Sequence, residues 1–216
     1  MGNKVAIIDY QLGNMFSVKQ ACEHLGYEAN ITSSSQELAE ADYAILPGVG
    51  AFGDAMKNME RLDLVEPIRD FIASGKPFMG VCLGLQLLFT ESEEFGSYKG
   101  LNVVEGLVKR FPPTATDGQQ LKVPQIEWNQ IYEAKNGAWQ QSPLKQCANG
   151  DYMYFVHSFY VEPANENLVL SETVYGGMRY CSSIIKDNIF ACQFHPEKSG
   201  KHGVDIYKTW FKNNGH

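Results

Sequence analysis

The first 90 residues alternate short apolar runs with amphipathic stretches, two of which close in glycine. KVAIID leads to NMFSVKQACEHLG, a helical pattern closed at Gly26, and then to YEANIT. DYAILP precedes residues 52–74, which hold one or two helices ending at Gly75, and PFMGV runs into LGLQLLF. Short, nearly continuous apolar runs are strands covered on both faces, and the helices between them are the crossovers that parallel pairing requires. Past residue 100 the units become strands and turns: LNVVEGLVKRF, KVPQIEWNQIY, DYMYFVHSFYVE, NLVLSETV, RYCSSIIKD and NIFACQF, with a final helix near residues 199–213. The pattern predicts a three-layer α/β/α sandwich with a largely parallel central sheet and an added β-rich segment. With no repeat, low-complexity tract or linker, residues 1–216 read as one domain.

Composition narrows the function classes. A chain of 216 residues that is 44% hydrophobic can bury one sizeable core. No apolar run approaches the roughly 20 residues that span a bilayer, and the N-terminal residues enter a strand with no signal-peptide pattern. A net charge of −7 speaks against nucleic acid as a partner, because phosphate binding needs a basic face. Five cysteines (Cys22, Cys82, Cys147, Cys181, Cys192) are odd in number and scattered. That spacing suits neither a disulfide framework nor a zinc site and fits a reducing compartment, so a cytoplasmic protein away from membranes is expected. Cys22, on a helix, and Cys192, in a strand, are expected in the core.

Cys82 differs, because it stands between Gly80 and Gly84 where a strand meets a helix. G-V-C-L-G has the form of a nucleophile elbow, with sulfur replacing the hydroxyl. The glycines let strand and helix pass closely, and the helix N-terminus favours thiolate. The alternative is a buried cysteine among tightly packed glycines. A base is supplied by IFACQFHPEKSG: His195 follows an apolar run, and Glu197 stands two residues on, where an extended chain would place it on the same side. His157 in YFVHSF competes but has no adjacent acid, while His24 lies on a helix and His202 and His216 read as surface residues. LPGVGAFGD contains G-x-G-x-x-G at Gly48, Gly50 and Gly53, yet the strand that follows ends in Val81-Cys82 rather than in the acid of a dinucleotide site. Glycines beside a cysteine elbow are better used as an oxyanion hole, in which a peptide turns its N–H toward developing negative charge. No P-loop or metal-ligand cluster is present in the sequence, and no cofactor is expected.

VAIIDY..GN, PGVGAFGDAM, GVCLGLQLLF, VP...WN, YFVHS and QFHPEKSG together resemble the class I glutamine amidotransferase family, in that family's order and over nearly the whole chain. The finer likeness is to members that act as glutaminase subunits of imidazole glycerol phosphate synthesis, in histidine biosynthesis. The resemblance implies that Cys82 attacks the side-chain amide of L-glutamine while His195 and Glu197 move protons. It also implies an oxyanion hole from Val49, Gly50 and Leu83, and a glutamine site from Gly50, Gln86, His157 and Ser158. Asn14, Gln125, Trp128, Tyr154 and Lys198 are then expected to face a (β/α)₈-barrel cyclase subunit in a heterodimer, which takes up the ammonia. The chain departs from the family pattern at Gln11 and Glu127, where glycine is usual, and at Phe159, where tyrosine is common. Glu127 is expected to add negative charge to the partner rim. A paralogue feeding another synthase, such as one that modifies a surface sugar, shares these motifs. A DJ-1-like thiol hydrolase shares the elbow but has no need of H-P-E.

Overall fold

The computed structural model describes residues 3–214; His216 lies outside them. In chain order its regular elements are β1 (Lys4–Ile8), α1 (Met15–His24), β2 (Glu28–Thr32), α2 (Ser35–Glu40), β3 (Tyr43–Gly48), α3 (Phe52–Arg61) and α4 (Val65–Ala73). There follow β4 (Phe78–Cys82), α5 (Leu83–Leu87), β5 (Phe89–Ser92), β6 (Tyr98–Lys99), β7 (Val104–Arg110) and β8 (Gln125–Glu133). The chain continues through β9 (Asp151–His157), β10 (Phe159–Pro163), β11 (Val169–Tyr175), β12 (Met178–Lys186) and β13 (Ile189–Cys192) to α6 (Gly200–Asn214).

Strands run in the order β2-β1-β3-β4-β13, all pairs parallel, and the sheet then continues antiparallel through β12, β10 and β7. Alternation along each parallel strand divides the core in two. Val5, Ile7, Tyr43, Ile45, Met79, Val81, Phe190 and Cys192 face one side, with Val18 and Cys22 of α1 and Ile206, Tyr207, Trp210 and Phe211 of α6. Ala6, Ile8, Ala44, Leu46, Phe78, Ile189 and Ala191 face the other, with residues of α2, α3, α4 and α5. Both faces are therefore dry, which is why the runs carry no polar alternation. Among the described residues no helix is long and apolar enough to cross a membrane.

Several boundaries differ from the sequence expectation. The one or two helices expected over residues 52–74 are two, separated at Asp63, whose φ of 52° no helix tolerates. The helix over LGLQLLF stops at Leu87, and Phe89 already pairs in β5. DYMYFVHSFYVE is two strands, broken at Ser158. Helix α2 has no counterpart in the reading above; Ser34 caps it by accepting the Glu37 N–H.

Candidate active site

At the β4–α5 junction Cys82 adopts φ 57°, ψ −109°, a conformation that an L-residue holds only when its surroundings impose it. The neighbouring glycines explain how. A Cβ on Gly84 would sit 1.7 Å from the Leu46 carbonyl oxygen, and one on Gly80 would lie 2.9 Å from the Gly84 carbonyl oxygen. Helix α5 can therefore press against β3 and β4 only with hydrogens at both positions. The helix is five residues long, so its dipole is a weaker aid to the thiolate than a full helix would supply.

Because β13 pairs parallel with β4, with Cys192 opposite Val81, the chain leaving β13 emerges beside Cys82. His195 lies there. Pro196–Lys198 form a 3₁₀ turn rather than the extended segment expected, and that turn brings Glu197 Oε1 to 2.8 Å from His195 Nδ1. Both side chains are almost wholly enclosed, 3% and 2% exposed. The backbone is also clamped: the His195 N–H donates to the Tyr154 carbonyl at 2.9 Å. Ser199 Oγ donates to the His195 carbonyl at 2.7 Å and accepts the Tyr154 N–H at 3.0 Å. Burial works against protonating the imidazole, but Cys82, and after it Glu197, outweigh burial and raise its pKa. Among the described residues His195 Nε2 has no partner at full hydrogen-bonding geometry, yet both charge and hydrogen bonding to Cys82 contribute to raising its pKa.

Cys82 stands on the wall of a cavity of about 250 Å³, lined also by Val49, Gly50, Leu83, Gln86, Glu94, Pro124, Val156, His157, Ser158 and Phe159. A cavity this small suits a small polar molecule, not a chain. Gly50 holds φ 101°, which only glycine adopts freely, and Val49 is partly exposed. Tyr10 anchors the start of this loop by donating to the Pro47 carbonyl at 2.8 Å. His157 does not behave as a base. Its Nδ1 lies 2.8 Å from the Phe159 carbonyl, its Nε2 is 3.3 Å from the Tyr180 hydroxyl, and burial lowers its pKa to about 4. Gln86 Nε2 donates to the Phe159 carbonyl and to Gln193 Oε1, each at 3.0 Å.

Two pocket-side residues were missed in the sequence. Glu94, the one carboxylate on the lining, accepts the Phe52 N–H at 2.6 Å and is pushed upward in pKa by burial. In ESEEFG it looks like any member of a solvated acidic run. Gln193, completely buried, donates from Nε2 to Cys82 Sγ at 3.6 Å. Its only signal was its place two residues before His195. Among the described residues no cluster of three or more His, Cys, Asp or Glu is arranged for a metal.

Outside the pocket, strands β8 and β9 present an exposed face. Trp128 lies opposite Tyr154, ring centroids 6.0 Å apart, and Lys198 Nζ lies 5.8 Å from the Tyr154 ring. Asn14, half-buried at the start of α1, donates to Ser17 Oγ. Gln125 and Glu127 do not share this face. Alternation along β8 turns their side chains opposite to Trp128. Gln125 is buried, accepting from the Tyr180 hydroxyl at 3.0 Å, and donates to Glu127 at 3.3 Å. Gln125 thus lies beneath the exposed face, whereas Glu127 is exposed on the opposite side of the strand. Gln11 takes φ 69°, the conformation for which glycine is usual.

The family model for Glutamine amidotransferase class-I matches residues 6–213. The chain is 46% identical over 207 residues to the imidazole glycerol phosphate synthase subunit HisH of Geobacter metallireducens, covering 95% of this chain and 96% of that one. It is 45% identical to the protein of the same description from Geobacter sulfurreducens, covering 96% and 97%. Among solved structures, one described as PurLQS from Thermotoga maritima superposes with a TM-score of 0.74 over 98% of this chain and 99% of that chain, at 17% identity. That last likeness concerns the fold.

Proposed function

The chain belongs to the class I glutamine amidotransferase family, and we propose that its glutaminase reaction runs through Cys82, His195 and Glu197. Its relatives are named as subunits of imidazole glycerol phosphate synthase, so the chain hydrolyses glutamine for that synthesis, in histidine biosynthesis, beside a synthase partner. Their names favour this over a synthase that modifies sugars, and the bonded His195–Glu197 pair favours it over a thiol hydrolase with an elbow alone.

In this mechanism the Cys82 thiolate attacks the side-chain carbonyl carbon of L-glutamine. Negative charge gathers on the carbonyl oxygen, where the Leu83 N–H and a peptide N–H of Val49–Gly50 receive it. Imidazolium at His195 gives its proton to the departing nitrogen, releasing ammonia and leaving a glutamyl thioester. His195 then takes a proton from water, which cleaves the thioester to glutamate and restores the thiolate. Glu197 fixes the imidazole ring and balances its charge. Gly50, Gln86, His157 and Ser158 shape the glutamine site, and Glu94 faces the α-ammonium group. The whole chain acts as one domain in a cytoplasmic setting. The barrel cyclase docks on Trp128, Tyr154, Lys198 and Asn14 as a heterodimer, and no cofactor takes part.

The observation that carries this reading is the enclosure of His195 and Glu197 directly behind a strained cysteine on a small pocket wall. Titrating the purified chain with the cyclase of its own cell, while following glutamate release, tests it. Activity is expected to be weak alone and to rise at least about tenfold with the loaded partner. No complex and no activation would remove the barrel partner from the reading.

A further inference from the structure

We propose that Gln193 is a positioning residue for Cys82, an amide whose N–H is held toward the sulfur to favour thiolate over thiol. The proposal rests on Cys82 being the nucleophile. The orientation of the Gln193 amide is fixed from its other end. Gln86 Nε2 can only donate, so the Gln193 atom 3.0 Å away must be the oxygen Oε1. The Gln193 NH₂ group then points at Cys82 Sγ, 3.6 Å away. Gln86 is in turn held by the Phe159 carbonyl at 3.0 Å, so neither amide can flip without burying an unpaired group. Phe159 joins the pocket wall to the sulfur through these two amides.

The sulfur needs such a donor. The Val156 carbonyl oxygen also stands 3.8 Å from the sulfur, a partner for the thiol proton but unfavourable beside a thiolate. Helix α5, at five residues, contributes little. His195 couples to the sulfur by charge and hydrogen bonding, but it must give up its proton during turnover, so a donor that keeps its N–H is a separate aid. The Gln193 N–H is thus a neutral donor to the sulfur that does not depend on the proton of His195. Other titratable groups face Cys82 and bear on its ionisation: Tyr10 from beyond β1, Cys192 from β13 and, through His195, Glu197 and His157. None of them changes in the variants below.

The test measures the pH dependence of Cys82 alkylation by iodoacetamide, located by peptide mass spectrometry, in Gln193→Met and Gln193→Glu. Met is close in size and donates nothing. Glu keeps an oxygen for Gln86 but replaces the donor with an acceptor. Both should move the alkylation midpoint upward by about one pH unit, because a hydrogen bond to a charged group is worth roughly that much. Turnover should fall with little change in the KM for glutamine. If Gln193 only anchors Gln86, Gln193→Met keeps the wild-type alkylation profile, and that result overturns the proposal; Gln193→Glu, whose added charge itself disfavours thiolate, sets the upper limit of the shift. Should Gln193→Met fail to fold, the uncharged Gln193→Leu decides in its place. Cys82→Ala, run alongside, separates the two levels. Retained glutaminase activity there refutes the nucleophile itself, whereas a dead Cys82→Ala with unshifted Gln193 profiles refutes only the positioning role.

Discussion

His195 Nδ1 and Glu197 Oε1 lie 2.8 Å apart on a 3₁₀ turn, almost sealed from solvent, and among the described residues the second Glu197 oxygen has no hydrogen-bond partner. A carboxylate enclosed this way is suited to hold and neutralise an imidazolium. His195→Ala should therefore cut glutamine turnover about 10²–10⁴-fold, the usual contribution of a positioned general base. Glu197→Gln, which keeps the shape, should cost clearly less. Steady-state kinetics of both variants with the synthase partner present check this order, and a silent His195→Ala contradicts it.

Glu94 gives a different signature. As the one carboxylate on the pocket lining it should bind the α-ammonium group in ground state and transition state alike. Glu94→Gln should raise the KM for glutamine about tenfold or more, at one charge-assisted contact, while kcat changes little. A fall in kcat at constant KM would assign Glu94 to the chemistry instead. The Phe52 N–H can still donate to the new amide oxygen, so the fold should survive.

How much of this was readable in the chain depended on whether chemistry or packing chose the residue. The parallel core was legible because strands dry on both faces leave unbroken apolar runs, as in YAILPG. Cys82 and His195 were legible because glycine spacing and H-P-E mark backbone geometry directly. Glu94 was not, since Glu91, Glu93 and Glu94 are chemically alike and only tertiary contact with Phe52 singles one out. Nor was the real basis of the His195–Glu197 contact: two-residue spacing suggested an extended chain, but Pro196 starts a 3₁₀ turn that reaches the same contact by another route. Gln125 and Trp128 were assigned to one surface although their odd spacing on β8 sends them to opposite faces.

The buried His157 makes stability depend on pH. Its folded-state pKa of about 4 lies below the ordinary 6.5, because burial disfavours the cation. Between those values the unfolded chain binds more protons than the folded one, so stability falls as pH drops. The contribution is complete above about pH 6.5 and gone below about pH 4, on the order of 3 kcal/mol. Urea unfolding at several pH values, comparing wild type with His157→Gln, should show a shallower acid decline in the variant. Parallel curves would mean that His157 is not the group responsible.

The two residues of β8 that point opposite ways should separate in a partner assay. Trp128, half-exposed against Tyr154, should be needed for the synthase partner: Trp128→Ala should weaken its binding by about tenfold or more, as loss of an interface tryptophan does. Glu127→Gly, on the other side of the strand, should leave binding within about twofold, a difference worth under 1 kcal/mol. Calorimetric titration with the synthase partner distinguishes them, and the reverse ranking would relocate the interface.

The central claim is that Cys82 is the nucleophile for glutamine, and covalent capture tests it most directly. A glutamine-mimicking electrophile is incubated with the chain, and the labelled peptides and residual glutaminase activity are measured on the same samples. The account predicts one modified cysteine, Cys82, with activity lost in proportion to labelling and glutamine protecting against both. The other four cysteines should stay free, since burial pushes the Cys22 and Cys147 thiols up to about 12 and raises Cys181 and Cys192 as well. Label on another cysteine, or full activity after complete modification of Cys82, would contradict it.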